Sequence, residues 1–396
     1  MMKYNEGTVV TAFTAPVSSV FVEGQSAYLK RRGYSPVLLS SYGDRVAEMA
    51  RDEGAEYYAV EMERDPKPIA DLVALFRVVR LLLSLRPEIV NAGTPKAGLL
   101  CSLGALLARV PVRIYTLHGF RHESMSGAGQ RLMIWIERFI CRIVHEVVCV
   151  SPSVLSLGRE LAIIPEGKGR VLASGSCGVD LAPFTQHREG PADRPSERER
   201  LGIPAHATVV GFVGRLIPRK GVSELISAWA RLRDKYDDLY LLILGPYEDS
   251  QPLPAATVET IERDDRIVSL GYNPNVAEHM ALMDIFTLPA HWEGFGNVLV
   301  EAAATGLPVV STTGTGTRDA VSEGHNGLLV PPRDETSLYE ALDRYVSDPQ
   351  LRREHGDNGK KWAPRFDRER VWEATADLYD DMTGSGLVPA PAAPCG

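Results

Sequence analysis

No stretch of this sequence approaches the roughly 18 uninterrupted apolar residues that a bilayer-spanning helix needs, so no spanning helix is expected. Residues 1–11 run almost directly into a strand-like segment and lack the basic-then-apolar order of a secretory signal, which leads us to expect a cytoplasmic protein. Cysteine is scarce and scattered. Cys101, Cys141, Cys149, Cys177 and Cys395 are odd in number and never form C-x-x-C, which excludes a disulfide framework and a cysteine zinc site. An excess of positive charge is also missing: 43 Lys and Arg stand against 51 Asp and Glu, for a formal charge of −8. No basic face dominates, so a nucleic-acid partner is not expected. Any anionic ligand must be held by a local cluster of cations.

What is present is the alternation of a wound α/β protein. The 396 residues suffice for two domains of roughly 200 residues each, a size that suits a ligand held between domains. Strand-like runs at 8–13, 36–40, 56–60, 88–92, 112–117 and 146–151 alternate with helical patterns, notably 69–85 and 97–108, as in parallel βαβ units. A polar, proline-rich stretch at 185–200 has no apolar periodicity and reads as a linker. The alternation then restarts. Strands are expected at 208–213, 239–244, 267–270, 285–289, 308–311 and 327–330, with helices at 222–235, from 297, and at 335–346 and 351–362. An amphipathic run at 369–382 is expected to cross back to the first domain, and the tail from 384 to be disordered. The expected division is therefore 1–184, linker 185–200, 201–368, crossover helix 369–383 and tail 384–396. Two such sheets facing each other turn their strand ends to a central cleft, where helix N-termini offer N–H groups to anions.

The strongest local signal is Glu293-Gly294-Phe295-Gly296-Asn297-Val298, followed by Glu301, lying between an expected strand and an expected helix. Gly294 and Gly296 permit close backbone approach, and Asn297 is a plausible N-cap. The first N–H groups of the helix then face a phosphate. Glu301, about one turn in, can accept two hydroxyl hydrogen bonds, as ribose requires, while Glu293 reaches another part of the same ligand. The alternative is two solvated carboxylates flanking an ordinary turn. The second signal is Gly214-Arg215-Leu216-Ile217-Pro218-Arg219-Lys220-Gly221 after a buried strand. Arg215 and Lys220 can converge on a diphosphate and stabilise the charge that grows as it departs, so that no metal is needed. A charge pair on a solvated loop is the bland alternative.

Glu-x7-Glu together with the Gly-Arg-x4-Lys-Gly loop resembles glycosyltransferase family 4, retaining enzymes of GT-B fold. Thr94-Pro95-Lys96-Ala97-Gly98, Tyr115-Thr116-Leu117-His118-Gly119, Ser174-Gly175-Ser176-Cys177-Gly178-Val179-Asp180 and Gly356-Asp357-Asn358-Gly359-Lys360 resemble its branch that builds bacterial capsular and exopolysaccharide units. The resemblance implies two Rossmann-like domains. It implies that Arg215 and Lys220 bind the donor diphosphate, with Gly214, Gly296, Asn297 and Val298 around it. Glu301 then binds ribose, Glu293 the transferred sugar or its reacting face, and His118 the donor sugar from the N-terminal domain. Gly271 and Tyr272 fall where the family reads the nucleobase. The implied co-substrate is a nucleotide sugar, with a UDP-sugar favoured, and neither a cofactor nor a metal is expected.

Two departures stand out. The family often has an acid directly after the glycine that ends the strand at 239–244, where this chain has Gly245-Pro246-Tyr247. Cys177 stands in a position more often small and polar or asparagine, and reads as packing.

The mechanism implied by the family is front-face displacement with retention. A double displacement through Glu293 is the alternative, and it needs a partner carboxylate about 5–5.5 Å away. Acceptor contacts are expected in loops 16–24, 93–98 and 119–129. There Lys96, Arg121 and His122 are candidates for the diphosphate of a lipid-linked sugar, or else are solvated loop residues. The segment 131–144 carries Leu132, Trp135 and Ile136 beside Arg131, Arg138 and Arg142, compatible both with a peripheral membrane contact and with a core helix. A soluble natural-product acceptor, a nucleotide-sugar epimerase and a non-catalytic partner subunit are the rival readings.

Overall fold

The computed structural model describes residues 4–63, 67–186 and 194–384. It divides into two compact units, Met1–Gly178 with Glu369–Gly396, and Val179–Arg368.

The first unit is a seven-stranded sheet in which every pairing is parallel. In chain order it contains β1 (Asn5–Ala12), α1 (Gln25–Arg31), β2 (Ser35–Ser40), α2 (Asp44–Glu53), β3 (Glu56–Ala59), α3 (Pro68–Leu85) and β4 (Pro87–Gly93). It continues through α4 (Pro95–Leu107), β5 (Val112–Leu117), α5 (Gly127–Ile143), β6 (Glu146–Cys149), α6 (Pro152–Glu160) and β7 (Arg170–Val171). The strand order is β3-β2-β1-β4-β5-β6-β7. Because helices cover both faces, the inner strands read as nearly unbroken apolar runs. Val9, Val10, Ile89 and Ile114 are fully buried.

The second unit begins with α7 (Ala182–Gln186) and α8 (Arg194–Arg200), followed by β8 (Thr208–Val213), α9 (Val222–Lys235), β9 (Leu239–Leu244), α10 (Ala255–Arg263), β10 (Ile267–Ser269) and α11 (Val276–Met280). Next come β11 (Ile285–Leu288), α12 (Asn297–Thr305), β12 (Val309–Thr312), β13 (Gly327–Val330), α13 (Glu335–Ser347) and α14 (Pro349–Trp362); the last helix, α15 (Arg368–Thr383), belongs to the first unit from Glu369 on. Its six strands run β10-β9-β8-β11-β12-β13, again all parallel.

The structure corrects the expected linker. Residues 194–200 form a helix inside the second unit, and the division between units falls at Gly178/Val179. The segment lacks apolar periodicity because guanidinium groups hold it instead. Arg198 is buried and donates to the Leu282 and Ala207 carbonyls at 2.6 and 2.9 Å and to Asp284 at 2.8 Å. Arg194 reaches the same carboxylate at 2.7 Å. A buried arginine with this many acceptors is a structural clamp that a hydrophobicity pattern does not register. The rest of that stretch, 187–193, and the tail at 385–396 lie outside the described residues.

After α14 the chain returns to the first unit. Tyr34 donates to Asp380 at 2.5 Å, Arg32 bonds Asp377 and Asp380 at 3.0 and 3.1 Å, and Asn91 donates to the buried Tyr379 hydroxyl at 2.8 Å. The apolar face of α15 closes the sheet beside Val9, Ile89 and Ile114.

Candidate active site

Strand β8 is followed by Gly214, whose N–H donates to the Leu244 carbonyl at 2.9 Å, and the loop after it closes into a short 3-10 helix, Pro218–Lys220. Gly221 follows with φ +72°, and a Cβ there would sit 2.0 Å from the Pro289 carbonyl oxygen. Only glycine lets this loop pack so closely on the segment after β11. The His291 N–H donates to the Arg219 carbonyl at 2.8 Å, and the His291 imidazole meets Glu224 on α9 at 2.7 Å. The two motif loops are thereby fastened together through backbone.

Their side chains converge on one carboxylate. Lys220 Nζ contacts Glu293 Oε1, and Arg219 Nη1 lies 3.4 Å from the same oxygen. Glu293 is itself fixed by its N–H, which donates to the Thr315 carbonyl at 2.8 Å. Burial pushes its carboxyl up, but the charges of Lys220, Arg219 and Arg215 outweigh burial and hold it below the ordinary carboxylate value. Glu293 is therefore ionised at neutral pH. Arg215, on the same loop, is paired with Glu248 at 2.5 Å.

Glu301 has the opposite character. It sits in the second turn of α12, and burial, with a smaller contribution from Asp180, pushes its carboxyl up to about 7. Its carboxyl has no hydrogen-bond partner among the described residues. A carboxyl left in this state is available for the hydroxyls of a ligand. Asn297 is not the N-cap. It is the first residue of α12, and the cap position belongs to Gly296, which offers no side-chain acceptor. With no side-chain acceptor at the cap, the Asn297 N–H donates instead to the Phe295 carbonyl at 3.1 Å. The Gly271 carbonyl accepts the Gly245 N–H at 2.7 Å and holds the end of β9, while Tyr272 is 77% exposed.

The candidates of the first unit are more dispersed. His118, just past β5, stacks on Phe21 with ring centroids 4.7 Å apart, and its Nδ1 lies 3.1 Å from Cys177 Sγ. Burial pushes the imidazole down to about 4 and the thiol up to about 12, so both are neutral near pH 7. Both line a cavity of about 50 Å³ with Thr94, Asn91 and Thr116. Gly93 is required beside it, since a Cβ would fall 2.8 Å from His118 Nε2.

Two expected acceptor contacts are turned inward. Lys96 is tied to Asp71 of α3 at 2.6 Å, which takes the charge that a diphosphate needs. His122 is 4% exposed and packs on Phe120, so its ring belongs to the interior. Arg121 remains on the surface, in a short 3-10 helix, Arg121–Ser124.

Sequence reasoning passed over Arg219 and Glu248. Arg219 immediately precedes Lys220, so its place in the motif was the available signal. Glu248 lies three residues beyond Gly245, and its pairing with Arg215 joins the two loops.

Two wound sheets, one carrying these fastened loops, are the architecture of the GT-B glycosyltransferases. The chain belongs to glycosyltransferase family 4. The profile described as "Glycosyl transferases group 1" matches residues 193–362, and "Glycosyl transferase 4-like domain" matches 18–175. The "Capsular polysaccharide biosynthesis glycosyltransferase CapM" of Staphylococcus aureus is 27% identical over 93% of this chain and 95% of its own length. The Escherichia coli "UDP-Gal:alpha-D-GlcNAc-diphosphoundecaprenol alpha-1,3-galactosyltransferase" is 26% identical over 84% and 85%. Among solved structures, a glycosyltransferase from Rickettsia africae superposes with a TM-score of 0.78 at 19% identity, covering 96% of this chain and 99% of that one. Anabaena HepE in complex with UDP and glucose gives 0.79 at 20%, covering 95% and 100%. The fold is shared with both.

Proposed function

We propose that this glycosyltransferase is a retaining, metal-independent enzyme that moves a hexose or N-acetylhexosamine from a nucleotide sugar, a UDP-sugar by preference, to a lipid-linked sugar acceptor in polysaccharide or glycoconjugate assembly. The observation that carries this reading is the Glu293 carboxylate held ionised between Lys220 and Arg219 at the head of α12. Lys220 and Arg215 take the diphosphate, with the dipole at the N-terminal end of α12 supplementing their charge. These fixed cations do the work for which other enzymes use a metal, neutralising charge as the leaving group departs. Lys220 passes from Glu293 to the phosphate, which frees Glu293 for the hydroxyls of the transferred sugar. Glu301 takes the ribose, and His118 contributes a neutral imidazole from the first unit.

The acceptor oxygen attacks the anomeric carbon on the face from which the diphosphate leaves. The carbon–oxygen bond to the β-phosphate breaks as the new bond forms, and the departing phosphate oxygen takes the acceptor proton. In the loaded site the Glu293 carboxylate is engaged by hydroxyls of the transferred sugar, which leaves it a weak nucleophile and favours this route over a double displacement through Glu293. The names of the Staphylococcus and Escherichia coli relatives support a polysaccharide product, and that of the latter supports a UDP-sugar donor and a lipid-diphosphate acceptor.

The test is a mass-spectrometric donor screen with EDTA present. It compares wild type and Glu293→Ala on UDP-, GDP- and ADP-sugars with lipid-linked and soluble acceptor pools. Donor-specific product on the lipid-linked pool, absent in the variant, is expected. Product only on soluble acceptors overturns the lipid-linked part, EDTA-sensitive turnover the metal-independent part, and donor turnover without any acceptor product the transfer itself.

A further inference from the structure

Helix α3 is apolar on two opposite sides. Ala74, Val78 and Leu82 are buried in the core of the first unit, against residues of β1, β2 and β4 and of α4. On the other side, Ile69, Leu72, Val73, Phe76 and Leu83 repeat at helical spacing and face solvent, with Ile69 83% and Phe76 66% exposed. A helix that is apolar all round is ordinarily covered all round, and a contiguous apolar stripe of this kind marks a contact surface.

The charge on that side has one sign. Arg80 lies within the stripe and Arg77 beside it, and neither has a polar partner among the described residues. Asp71, the one acidic residue of the helix, is committed to Lys96 on α4. A two-fold pairing of this face with a second copy buries the same two arginines from each chain with no acid to meet them, which disfavours that contact. An anionic headgroup layer neutralises both guanidinium groups while the apolar side chains enter the acyl boundary below it.

We propose that the outer face of α3 docks the protein on the surface of an anionic lipid bilayer. For its purpose the surface rests on the lipid-linked acceptor reading, while the stripe itself does not depend on it. No described helix is long and apolar enough to cross a membrane, so the contact is peripheral. The segment 131–144, compatible from its sequence with either a membrane contact or a core helix, has both a buried and an exposed side. In α5, Glu137, Ile140 and Cys141 point into the core, and Leu132 and Trp135 are the large apolar residues left exposed.

The experiment is co-sedimentation of the full chain, without donor, with phosphatidylcholine vesicles that contain or lack phosphatidylglycerol. Wild type is compared with Leu72→Glu/Phe76→Glu and Arg77→Gln/Arg80→Gln, and the mass of each is read by light scattering. Both pairs are exposed, and thermal unfolding checks that the variants fold. Wild type is expected to pellet with the anionic vesicles as a monomer. The glutamate pair should weaken partitioning by roughly tenfold or more, and each arginine by roughly fivefold. Equal partitioning of wild type and the glutamate variant overturns the proposal, as does a larger wild-type species that the glutamate pair dissociates. A protein that binds vesicles yet transfers no sugar supports the surface and counts against the transfer reading.

Discussion

The two units use their polar residues differently. In the second, side chains at the strand ends are left in electrostatic tension. Lys220 and Arg219 share one oxygen of Glu293, and Glu301 keeps an unpartnered carboxyl one helix away. In the first, comparable groups are satisfied internally, with Lys96 by Asp71 and Thr116 by Asn91. Charge that remains ready to be redistributed marks a place where a charged ligand can change partners, whereas charge already neutralised inside the fold marks architecture. The N-terminal unit instead leaves apolar surface uncovered, along α3.

The sharpest way to break this comparison is Glu293→Gln. Gln keeps the shape but gives up the charge that Lys220 and Arg219 hold in place, so sugar transfer should fall roughly 10²- to 10³-fold, with the loss mainly in kcat. Steady-state kinetics on the donor found by the screen check this. A fall of less than threefold would place Glu293 among structural ion pairs, like Lys96 with Asp71.

The next comparison sets two carboxyls with similar titration against each other. Glu137 in the first unit and Glu301 in the second are both pushed up to about 7, chiefly by burial. Glu137 is sealed in the core with the Tyr115 hydroxyl at 3.0 Å, near Cys141. Each native carboxyl keeps its proton to a higher pH than the unfolded chain does. Their contributions to stability are therefore full below about pH 4.5 and are lost as pH rises towards and through 7. For Glu137 the loss is on the order of 3 kcal/mol. Glu137→Gln should raise the Tm relative to wild type at pH 8, do little at pH 4.5 and leave transfer unchanged. Glu301→Gln should raise the Tm in the same sense but also raise the donor KM about tenfold, through weakened ribose bonds. If Glu301→Gln leaves the KM unmoved, Glu301 is a core residue like Glu137.

Much of the second unit was legible because its elements carry strong local patterns. The expected bounds of β8, α9, β9 and β13 coincide with the observed ones, the strands being apolar runs ended by glycine or proline and α9 an amphipathic repeat that begins after Gly221. The Glu293 loop was legible because two glycines and two carboxylates at fixed spacing have few structural uses. Helix α8 was not, since Arg198 and Arg194 hold it through acceptors at Leu282 and Asp284, just before β11 and far along the chain. Lys96 and His122 were misplaced for a related reason. A position in a segment expected to be a loop suggests exposure, and only the ion pair with α3 and the packing on Phe120 show that each faces inward. The exposed face of α3 was hidden because periodicity reports that a helix has an apolar side, not that it has two.

The smallest expected effect tests the architectural half of the comparison. Lys96 Nζ is 2.6 Å from Asp71, with the lysine side chain 10% exposed and that of aspartate 23%. Lys96→Met keeps the aliphatic stem between α3 and α4 and removes the ammonium, leaving a carboxylate that can still turn to water. The cost should be about 1 kcal/mol in chemical unfolding, above the usual value of a surface pair and below that of a sealed one. Transfer kinetics should change less than twofold. If the variant instead raises the acceptor KM tenfold with unfolding unaltered, Lys96 leaves Asp71 to meet an acceptor phosphate, and the first unit holds exchangeable charge as the second does.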